Sequence, residues 1–199
     1  MTVTVAFPTS ADGATYAAVH RVIAAVVALD GAVGWLSVPS EEETAAWLDE
    51  HLAYAAEGRG GVALVSVDGV VEALGVWSRY HAPVVAQNAE IRKVMAHPDA
   101  RGRGLGRVVV EALTEHAKEH GVEVLVLDAR GNNHGAHALY ESLGWRRCGY
   151  IPDFIAVGEH RWDRVFFAKR VNTPPDAVLH GSEPVGPGFS VRRGEADET

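Results

Sequence analysis

The chain has 199 residues, of which 47% are hydrophobic and 22% are charged, and its formal net charge is −8 at pH 7. This length and composition indicate one folded domain with a substantial core and exclude a largely disordered chain. The negative net charge argues against a general nucleic-acid binder or a protein that coats anionic membranes. The single cysteine, Cys148, excludes an internal disulfide and a zinc site made of several cysteines.

No apolar run reaches the roughly 18 residues of a membrane-spanning helix, and the N-terminus lacks the order of a signal peptide. We therefore expect a cytoplasmic protein that binds neither membranes nor nucleic acid. After residue 171 the sequence becomes rich in proline and glycine. Residues 1–171 are thus expected to form the domain, and residues 172–199 a C-terminal tail without a core of its own.

The first part of the chain predicts an edge strand followed by two helices. Residues 2–7 alternate weakly, as an edge strand does, and residues 14–29 are rich in Ala and Val before a glycine stop signal. Ser40 and Glu43 form a capping box, which predicts a second helix that runs to about residue 57.

A β pattern follows these helices. Two apolar, β-branched runs, at residues 62–67 and 70–77, flank Asp68 and Gly69, and this arrangement predicts a tight hairpin. A further strand is predicted at residues 89–97, where a proline ends the run.

The second half of the chain alternates strands and helices. Apolar residues at helical spacing predict a helix from Leu105 to a stop at Gly121, and residues 122–127 form an apolar strand. Strand, helix and strand in this order predict a right-handed crossover between parallel strands. A short helix and two closing strands are predicted at residues 135–143, 145–151 and 164–169. The whole order indicates a mixed α/β sheet with helices on both faces.

Glycines and arginines alternate between the predicted strand and the long predicted helix. The segment reads Arg101, Gly102, Arg103, Gly104, Leu105, Gly106 and Arg107. A helix N-terminus presents unpaired N–H groups, and glycine lets an anion approach the backbone closely. We therefore predict a phosphate or pyrophosphate site. The segment lacks the Gly-Lys-Ser/Thr of a Walker loop and the third glycine of a dinucleotide fingerprint.

Two motifs in register resemble those of a known family. The first motif is Arg101, Gly104 and Gly106, preceded by Val94, Met95, Ala96, His97 and Pro98. The second motif is Asn133, Ala136, Tyr140, Gly144 and Trp145. Together they resemble the acetyl-CoA-binding segments of the GCN5-related N-acetyltransferases (GNAT) over residues 90–150. The surrounding segments are most similar to the tabtoxin-resistance type of acetyltransferase.

The resemblance implies an acyl-CoA N-acyltransferase fold. This fold is a mixed, mostly antiparallel sheet with a central splayed pair of parallel strands and flanking helices. The family's pantetheine-binding strand corresponds to Val94, Met95 and Ala96, and its pyrophosphate loop to residues 101–107. Asn133 would hydrogen-bond the cosubstrate, acetyl-CoA, and no metal is expected.

The resemblance also implies catalytic roles. Tyr140 matches the family's tyrosine beside the CoA sulfur and is the predicted general acid; the alternative is a core aromatic, and the register with Asn133 favours the acid. Asp128 matches an aspartate that is the proposed base in the tabtoxin-resistance-like members. Glu90, on the preceding strand, is the alternative base. Neither is needed if the amine deprotonates in solution, because proximity to the thioester supplies much of the rate.

The acceptor pocket is less well specified. In this family it is built from the loop between the first two helices, the third strand and the last hairpin. The candidates there are Trp35, Trp77, Arg79 and Asp153, with Asp128 beside them. Aromatic and polar groups of this kind suit a small amphipathic ligand, and Arg79 could bind a carboxylate with two N–H groups.

We therefore expect an acetyl-CoA-dependent N-acetyltransferase that acts on the amine of a small molecule, such as an amino acid-like antibiotic, toxin or metabolite. The expected route is direct attack in a ternary complex, and the expected assembly is a monomer or a homodimer. Two alternatives stay open: a protein N-terminal or lysine acetyltransferase, and a non-catalytic acyl-CoA-binding module.

Charge is distributed unevenly along the chain. Between Asn88 and Arg107 lie five basic and two acidic residues, a local net charge of +3 within a chain of −8. The positive segment coincides with the predicted pyrophosphate site. The acidic remainder is expected to tolerate or attract a cationic amine.

Overall fold

The computed structural model describes residues 1–29 and 33–177. Its strands and helices, in chain order, are β1 (Val3–Ala6), α1 (Gly13–Ala28), α2 (Glu41–Ala56), β2 (Gly60–Val67), β3 (Val70–Arg79), β4 (Ala89–Ala96), α3 (Leu105–Glu119), β5 (Val124–Arg130), α4 (His134–Ser142), β6 (Arg146–Val157) and β7 (His160–Arg170). Each predicted element is present, and five strands extend beyond their predicted bounds: β2, β3, β5, β6 and β7.

The strands form one sheet in the order β1-β2-β3-β4-β5-β7-β6. Among the strands of the described residues, the β4–β5 pair is parallel and the other neighbours are antiparallel. The expected mixed, mostly antiparallel sheet is thereby confirmed. Helices α1 and α2 cover one face, and α3 and α4 cover the other, so each face has a separate core.

The local signals explain why the first elements form where they do. Ser40 accepts from the N–H of Glu43, and Glu43 accepts from the N–H of Ser40, so the capping box fixes the start of α2. Asp68 and Gly69 have φ values of 49° and 86°, which are the positive angles that a tight hairpin turn requires.

The central strands β4 and β5 part soon after they begin. Their pairing joins only Ala89 to Leu125 and Glu90 to Val126. On the far side of each strand the pairing continues, because β4 stays paired with β3 up to Ala96 and β5 stays paired with β7 up to Arg130. The sheet therefore has a wedge-shaped gap between two strands that are each held from the outside.

The chain after β7 begins against the body of the domain. The side-chain amide of Asn172 donates to the carbonyls of Lys118 and Val122 at 2.9 and 2.8 Å. The predicted tail from residue 178 onward lies outside the described residues, and the boundary at residue 171 stays a prediction. Within residues 1–29 and 33–177, no helix has the length and hydropathy needed to cross a bilayer.

A partly buried histidine of α3, His116, gives a prediction for stability. Trp77 Nε1 donates to His116 Nδ1 at 3.0 Å, and the His116 ring stacks on Phe7. Burial, and then the neighbouring His120, lower the pKa of His116 to about 4. Between pH 6.5 and 4 the unfolded chain therefore binds more protons at this site than the folded chain, so stability falls as the pH falls.

We expect the free energy of unfolding to decrease when the pH is lowered from 7 to 5, and to decrease less in His116→Phe. Urea unfolding at the two pH values measures both differences. The pKa of His51 and that of His137 are also lowered by burial, but these residues are present in both proteins, so their contributions cancel. Equal losses in the two proteins would contradict the assignment to His116.

Candidate active site

A cavity of about 690 Å³ lies at the gap between β4 and β5. It is lined from both faces of the sheet. On the face covered by α3 and α4, its lining includes Arg101, Gly106, Asn133, Leu139 and Tyr140. We call this the α3 side. On the other face its lining includes Val27, Val33, Trp35, Leu36 and Lys93, and we call this the α1 side.

The strand β4 forms one wall of the gap. Val94, Met95 and Ala96 line the cavity, as the resemblance implies. Met95 is 4% exposed and its side chain packs in the core under α1 and α2, so it offers the gap its backbone. Backbone N–H and C=O groups that lose a neighbouring strand need another partner, and an extended polar chain can supply one.

The glycine loop forms a second cavity of about 360 Å³ beside the first. Gly102 and Gly104 have φ values of 76° and 72°, and a Cβ at either position would meet no atom within 4 Å. Gly104 is the N-cap of α3 and provides no side-chain acceptor for the first turn. The free N–H groups and the open, glycine-lined surface fit a pyrophosphate.

The arginines of this loop differ in their surroundings. Arg101 lines both cavities, which places its charge between them. Arg107 lines the smaller cavity, but its guanidinium donates to Ser142 Oγ at 2.8 Å and so joins α3 to α4. Arg103 lies in neither lining. Of the three, Arg101 is the side chain best placed to meet a ligand.

Tyr140 lies on α4 and is 6% exposed. It packs against Phe167 and Trp145, yet it also lines the cavity, so the two interpretations of this residue are compatible. Burial, and then the negative charge of Asp128, raise the pKa of Tyr140 to about 12. The phenol is therefore protonated, and a hydrogen-bond donor, at neutral pH. Asn133 caps α4 by accepting from the N–H of Ala136 at 3.2 Å.

Two carboxylates and two arginines cluster where the strands part. Arg164 on β7 donates to Asp128 Oδ1 at 2.7 Å, and its Nη2 lies 3.9 Å from Glu90 Oε1. Arg92 Nε lies 3.7 Å from Glu90 Oε2. Burial raises the pKa of Glu90, against the opposing effects of Arg92 and Arg164. Asp128 lines the cavity, whereas Glu90 lies outside its lining.

The acceptor-pocket candidates separate into two groups. Trp35 and Asp128 line the cavity, whereas Trp77, Arg79 and Asp153 do not. Trp77 is 1% exposed and lies in the core under α3. Side chains of a strand alternate between the two faces of a sheet. Both faces of β3 are covered by helices, and Trp77 lies on the face covered by α3.

Arg79 and Asp153 lie away from the cavity lining. The guanidinium of Arg79 donates to the backbone carbonyls of Ala86 and His120, so it joins the loop before β4 to the end of α3. Asp153 lies in an irregular part of β6, where its N–H donates to Asp163 Oδ1 at 3.2 Å. Trp77, Arg79 and Asp153 therefore lie outside the lining of this cavity, and their place in the acceptor pocket stays a prediction.

The structure also brings residues to the cavity that the sequence did not single out. Arg92, Lys93, Arg130 and Arg164 line it, together with residues 155–157 of β6. The position of Arg164 depends on the pairing of β5 with β7, in which Asp128 pairs with Phe166 and Arg130 with Arg164. No local pattern specifies a register between strands so distant in sequence.

The sequence of the central part of the chain matches a family model. Residues 30–145 match the model described as the acetyltransferase (GNAT) family. The chain belongs to the GNAT family. The matched range includes the strand β4, the glycine loop and the helix that carries Tyr140.

Relatives of this GNAT protein include enzymes with different acceptors. It is 33% identical over 85 residues to the Escherichia coli [ribosomal protein bS18]-alanine N-acetyltransferase. The aligned segment covers 43% of this chain and 57% of that enzyme. It is 32% identical over 88 residues to the Escherichia coli L-amino acid N-acyltransferase MnaT, with 43% and 51% covered. The chain thus matches only a little more than half the length of these curated relatives.

The fold has close structural counterparts. The Salmonella typhimurium protein yncA, solved with its cofactor acetyl-CoA, superposes with a TM-score of 0.74 at 23% identity. The superposition covers 88% of this GNAT chain and 99% of that one. At this identity the likeness establishes the fold.

The glycine loop gives a prediction for ligand binding. Gly104→Ala forces a residue with a Cβ into the left-handed region, which costs about 1–2 kcal/mol. We expect the variant to bind acetyl-CoA up to about tenfold more weakly, because binding must restore the strained loop. Isothermal titration measures the dissociation constant, and urea unfolding measures the stability.

Gly69→Ala is the matched control for this experiment. Gly69 has a φ of 86° and, like Gly104, no atom within 4 Å of an added Cβ, but it lies in the turn between β2 and β3. We expect it to lose stability to a similar extent and to keep the acetyl-CoA affinity. An equal loss of affinity in both variants would show that the loop has no specific role in binding.

Proposed function

We propose that this GNAT protein is an acetyl-CoA-dependent N-acetyltransferase that acts on the amine of a small molecule. The observation that carries the proposal is a single cavity that passes through the gap in the sheet. Its α3 side adjoins the glycine loop, and its α1 side is lined by a different set of residues. Two substrates can therefore approach the gap from opposite faces and meet, as direct transfer in a ternary complex requires.

The α3 side provides the binding groups for acetyl-CoA, which supplies the acetyl group as a thioester. The amides of the glycine loop and Arg101 bind the pyrophosphate. The unpaired backbone of Val94 and Ala96 binds the pantetheine arm as a neighbouring strand would, and Asn133 adds a hydrogen bond. These contacts hold the thioester beside Tyr140 and Asp128, which both line the gap.

A carboxylate at the gap accepts the proton of the acceptor amine. Asp128 is favoured for this role because it lines the cavity, and Arg164 holds its Oδ1 in place at 2.7 Å. Glu90 is the alternative, since burial raises its pKa toward that of an effective base. The two carboxylates share Arg164, so the same cation orients both.

Tyr140 acts at the departing sulfur. Because its pKa is about 12, the phenol is in the donor form throughout the neutral range. It donates a hydrogen bond to the sulfur as the bond between carbon and sulfur breaks, and supplies the proton that converts the thiolate to a thiol. Exchange with solvent then returns a proton to the phenolate and removes the proton that the carboxylate accepted from the amine.

A protein N-terminus is the second candidate acceptor. The bS18-alanine N-acetyltransferases among the relatives favour it, and so do two apolar side chains of the cavity lining that are open to solvent. Leu36 is 84% exposed and Phe154 is 55% exposed. A panel of small amines and of peptides with N-terminal alanine, followed by thiol release, separates the two candidates.

Three variants test the catalytic roles. With a saturating amine, we expect kcat to fall about 100-fold in Asp128→Asn and in Tyr140→Phe, because each removes a proton-transfer group. We expect kcat to fall less than about tenfold in Glu90→Gln. This variant loses the negative charge that shares Arg164 with Asp128, but it keeps every residue of the cavity lining. Thiol release measures kcat, and titration of acetyl-CoA into each variant is the control for binding.

The outcomes distinguish the alternatives. A larger loss in Glu90→Gln than in Asp128→Asn would transfer the role of base to Glu90. Full turnover in both Asp128→Asn and Tyr140→Phe would show that the assigned roles are wrong. Binding of acetyl-CoA without release of thiol for any amine or peptide would identify a non-catalytic acyl-CoA-binding module instead.

A further inference from the structure

A β-bulge turns the side chain of Lys93 toward the α1 side of the cavity. In the β3–β4 ladder Leu74 pairs with Met95 and Val76 pairs with Arg92, so Gly75 alone faces two residues of β4. Lys93 is the extra residue, and its φ is 56°. Such an insertion interrupts the alternation of side chains and re-aims one of them.

Packing on the other face explains why it is Lys93 that turns. A Cβ at Gly75 would lie 2.7 Å from Val109 and 2.9 Å from Leu113, so α3 lies directly on this part of β3. The side chain of Val94 would lie 3.4 Å from the same added Cβ of Gly75. Val94 therefore takes the α3 face, and Lys93 is left on the face covered by α1 and α2.

The ammonium of Lys93 contacts a backbone carbonyl and an aromatic ring. Nζ donates to the carbonyl of Val33 and lies 3.8 Å from the centre of the Trp35 ring. Gly34 lies between Val33 and Trp35 in the chain. A Cβ added to Gly34 would lie 2.8 Å from Nζ of Lys93, so the glycine packs directly against the ammonium. Across residues 1–29 and 33–177, no carboxylate forms an ion pair with this ammonium.

Burial, followed by repulsion from Arg92, lowers the pKa of Lys93 to about 8. A desolvated ammonium has three N–H donors. One carbonyl and the face of one aromatic ring do not satisfy all three. An anion that enters the α1 side would supply the missing acceptor and would gain a charge-assisted hydrogen bond.

The neighbouring cations are already occupied. Arg164 is bound to Asp128, and Arg92 donates to Ser78 Oγ at 2.8 Å. Among the described residues that line the cavity, five are cationic and one, Asp128, is anionic. The cavity therefore does not follow the acidic character of the whole chain.

We propose that Lys93, turned by the bulge and covered by Trp35, is the specificity residue that binds an anionic group of the acceptor. The acceptor class is then a zwitterion that carries a carboxylate or a similar oxyanion near its amine, rather than a polyamine or another polycation. This inference rests on the proposed function, because it assigns the acceptor to the α1 side. The carboxylate binds Lys93, and the amine is directed toward the gap.

The test compares acceptors in matched pairs, each amino acid with its own primary amide. Thiol release gives kcat/KM for both members of a pair. In Lys93→Gln we expect kcat/KM for the acids to fall about 10- to 100-fold, the range for a hydrogen bond to a charged group, and the amides to change by about twofold at most. Lys93→Arg, which keeps the charge, is expected to recover part of the preference for acids.

Lys118→Gln is the matched control, since Lys118 is an exposed residue of α3 paired with Glu115 and removed from the cavity. The ratio of acid to amide is compared between proteins, so the different reactivities of the two amines cancel. A purely structural role of Lys93 would lower both members of each pair equally. An equal fall, or an unchanged ratio in Lys93→Gln, would overturn the proposal.

A binding measurement separates this inference from the proposed function. N-acetyl amino acids and their amides are titrated into the protein in the presence of CoA, which requires no turnover. We expect the acids to bind more tightly than the amides to the wild type and to Lys93→Arg, but not to Lys93→Gln. Failure to acetylate any amine would reject the proposed function, whereas equal binding of acid and amide to the wild type would reject the role of Lys93.

Discussion

The parting of β4 from β5 is the constraint on which the rest of the structure depends. A strand in the middle of a sheet normally satisfies its backbone groups on both sides, and here the second partner is missing beyond Glu90 and Val126. The gap persists because each strand is held from outside, β4 by β3 and β5 by β7. Such a gap offers a ready set of backbone donors and acceptors to an extended ligand.

The two faces of the sheet give the gap two different entrances. On the α3 side, glycines, helix N–H groups and Arg101 form a surface for a large anion. On the α1 side, Lys93, Trp35 and the exposed Leu36 form a smaller, partly aromatic surface. The bulge in β4 contributes to this division, because it interrupts the alternation of the strand and places Lys93 on the α1 side. Asp128 and Tyr140 lie at the gap, where the two surfaces meet.

Electrostatics follow from the same geometry. The chain is acidic as a whole, yet the cavity lining is mostly cationic. Asp128 forms an ion pair with Arg164, and Glu90 forms ion pairs with Arg92 and Arg164. The arginines therefore hold the two carboxylates in place. Lys93 has no carboxylate of this kind within the described part of the chain, which leaves its charge available to a ligand. The distribution suits one anionic ligand on each side of the sheet.

Sequence reasoning succeeded where a signal is local. The capping box at Ser40, the turn at Asp68 and the glycine loop each depend on a few neighbouring residues, and each appears in the structure as predicted. It was less successful where a side chain's direction depends on pairing between distant strands. Both faces of β3 are buried, so apolar character alone could not place Trp77 on the α3 face.

Two further features depend on pairing between distant strands: the bulge at Lys93 and the contact of Arg164 with Asp128. The first needs the register of β3 against β4, and the second joins residues that are 36 positions apart. Long-range register is set by the packed sheet as a whole, so one sequence carries no direct signal for it. A basic residue directly beside the pantetheine-binding strand was visible, but not the face on which it would lie.

The measurement that tests this account most directly is amide hydrogen exchange of β4 with and without acetyl-CoA. If the gap is the site of the pantetheine arm, acetyl-CoA slows exchange in residues 91–96, and the β2–β3 hairpin, whose backbone is already paired, changes little. Binding of acetyl-CoA with unchanged exchange in residues 91–96 would contradict the central claim that the parted strands hold the thioester.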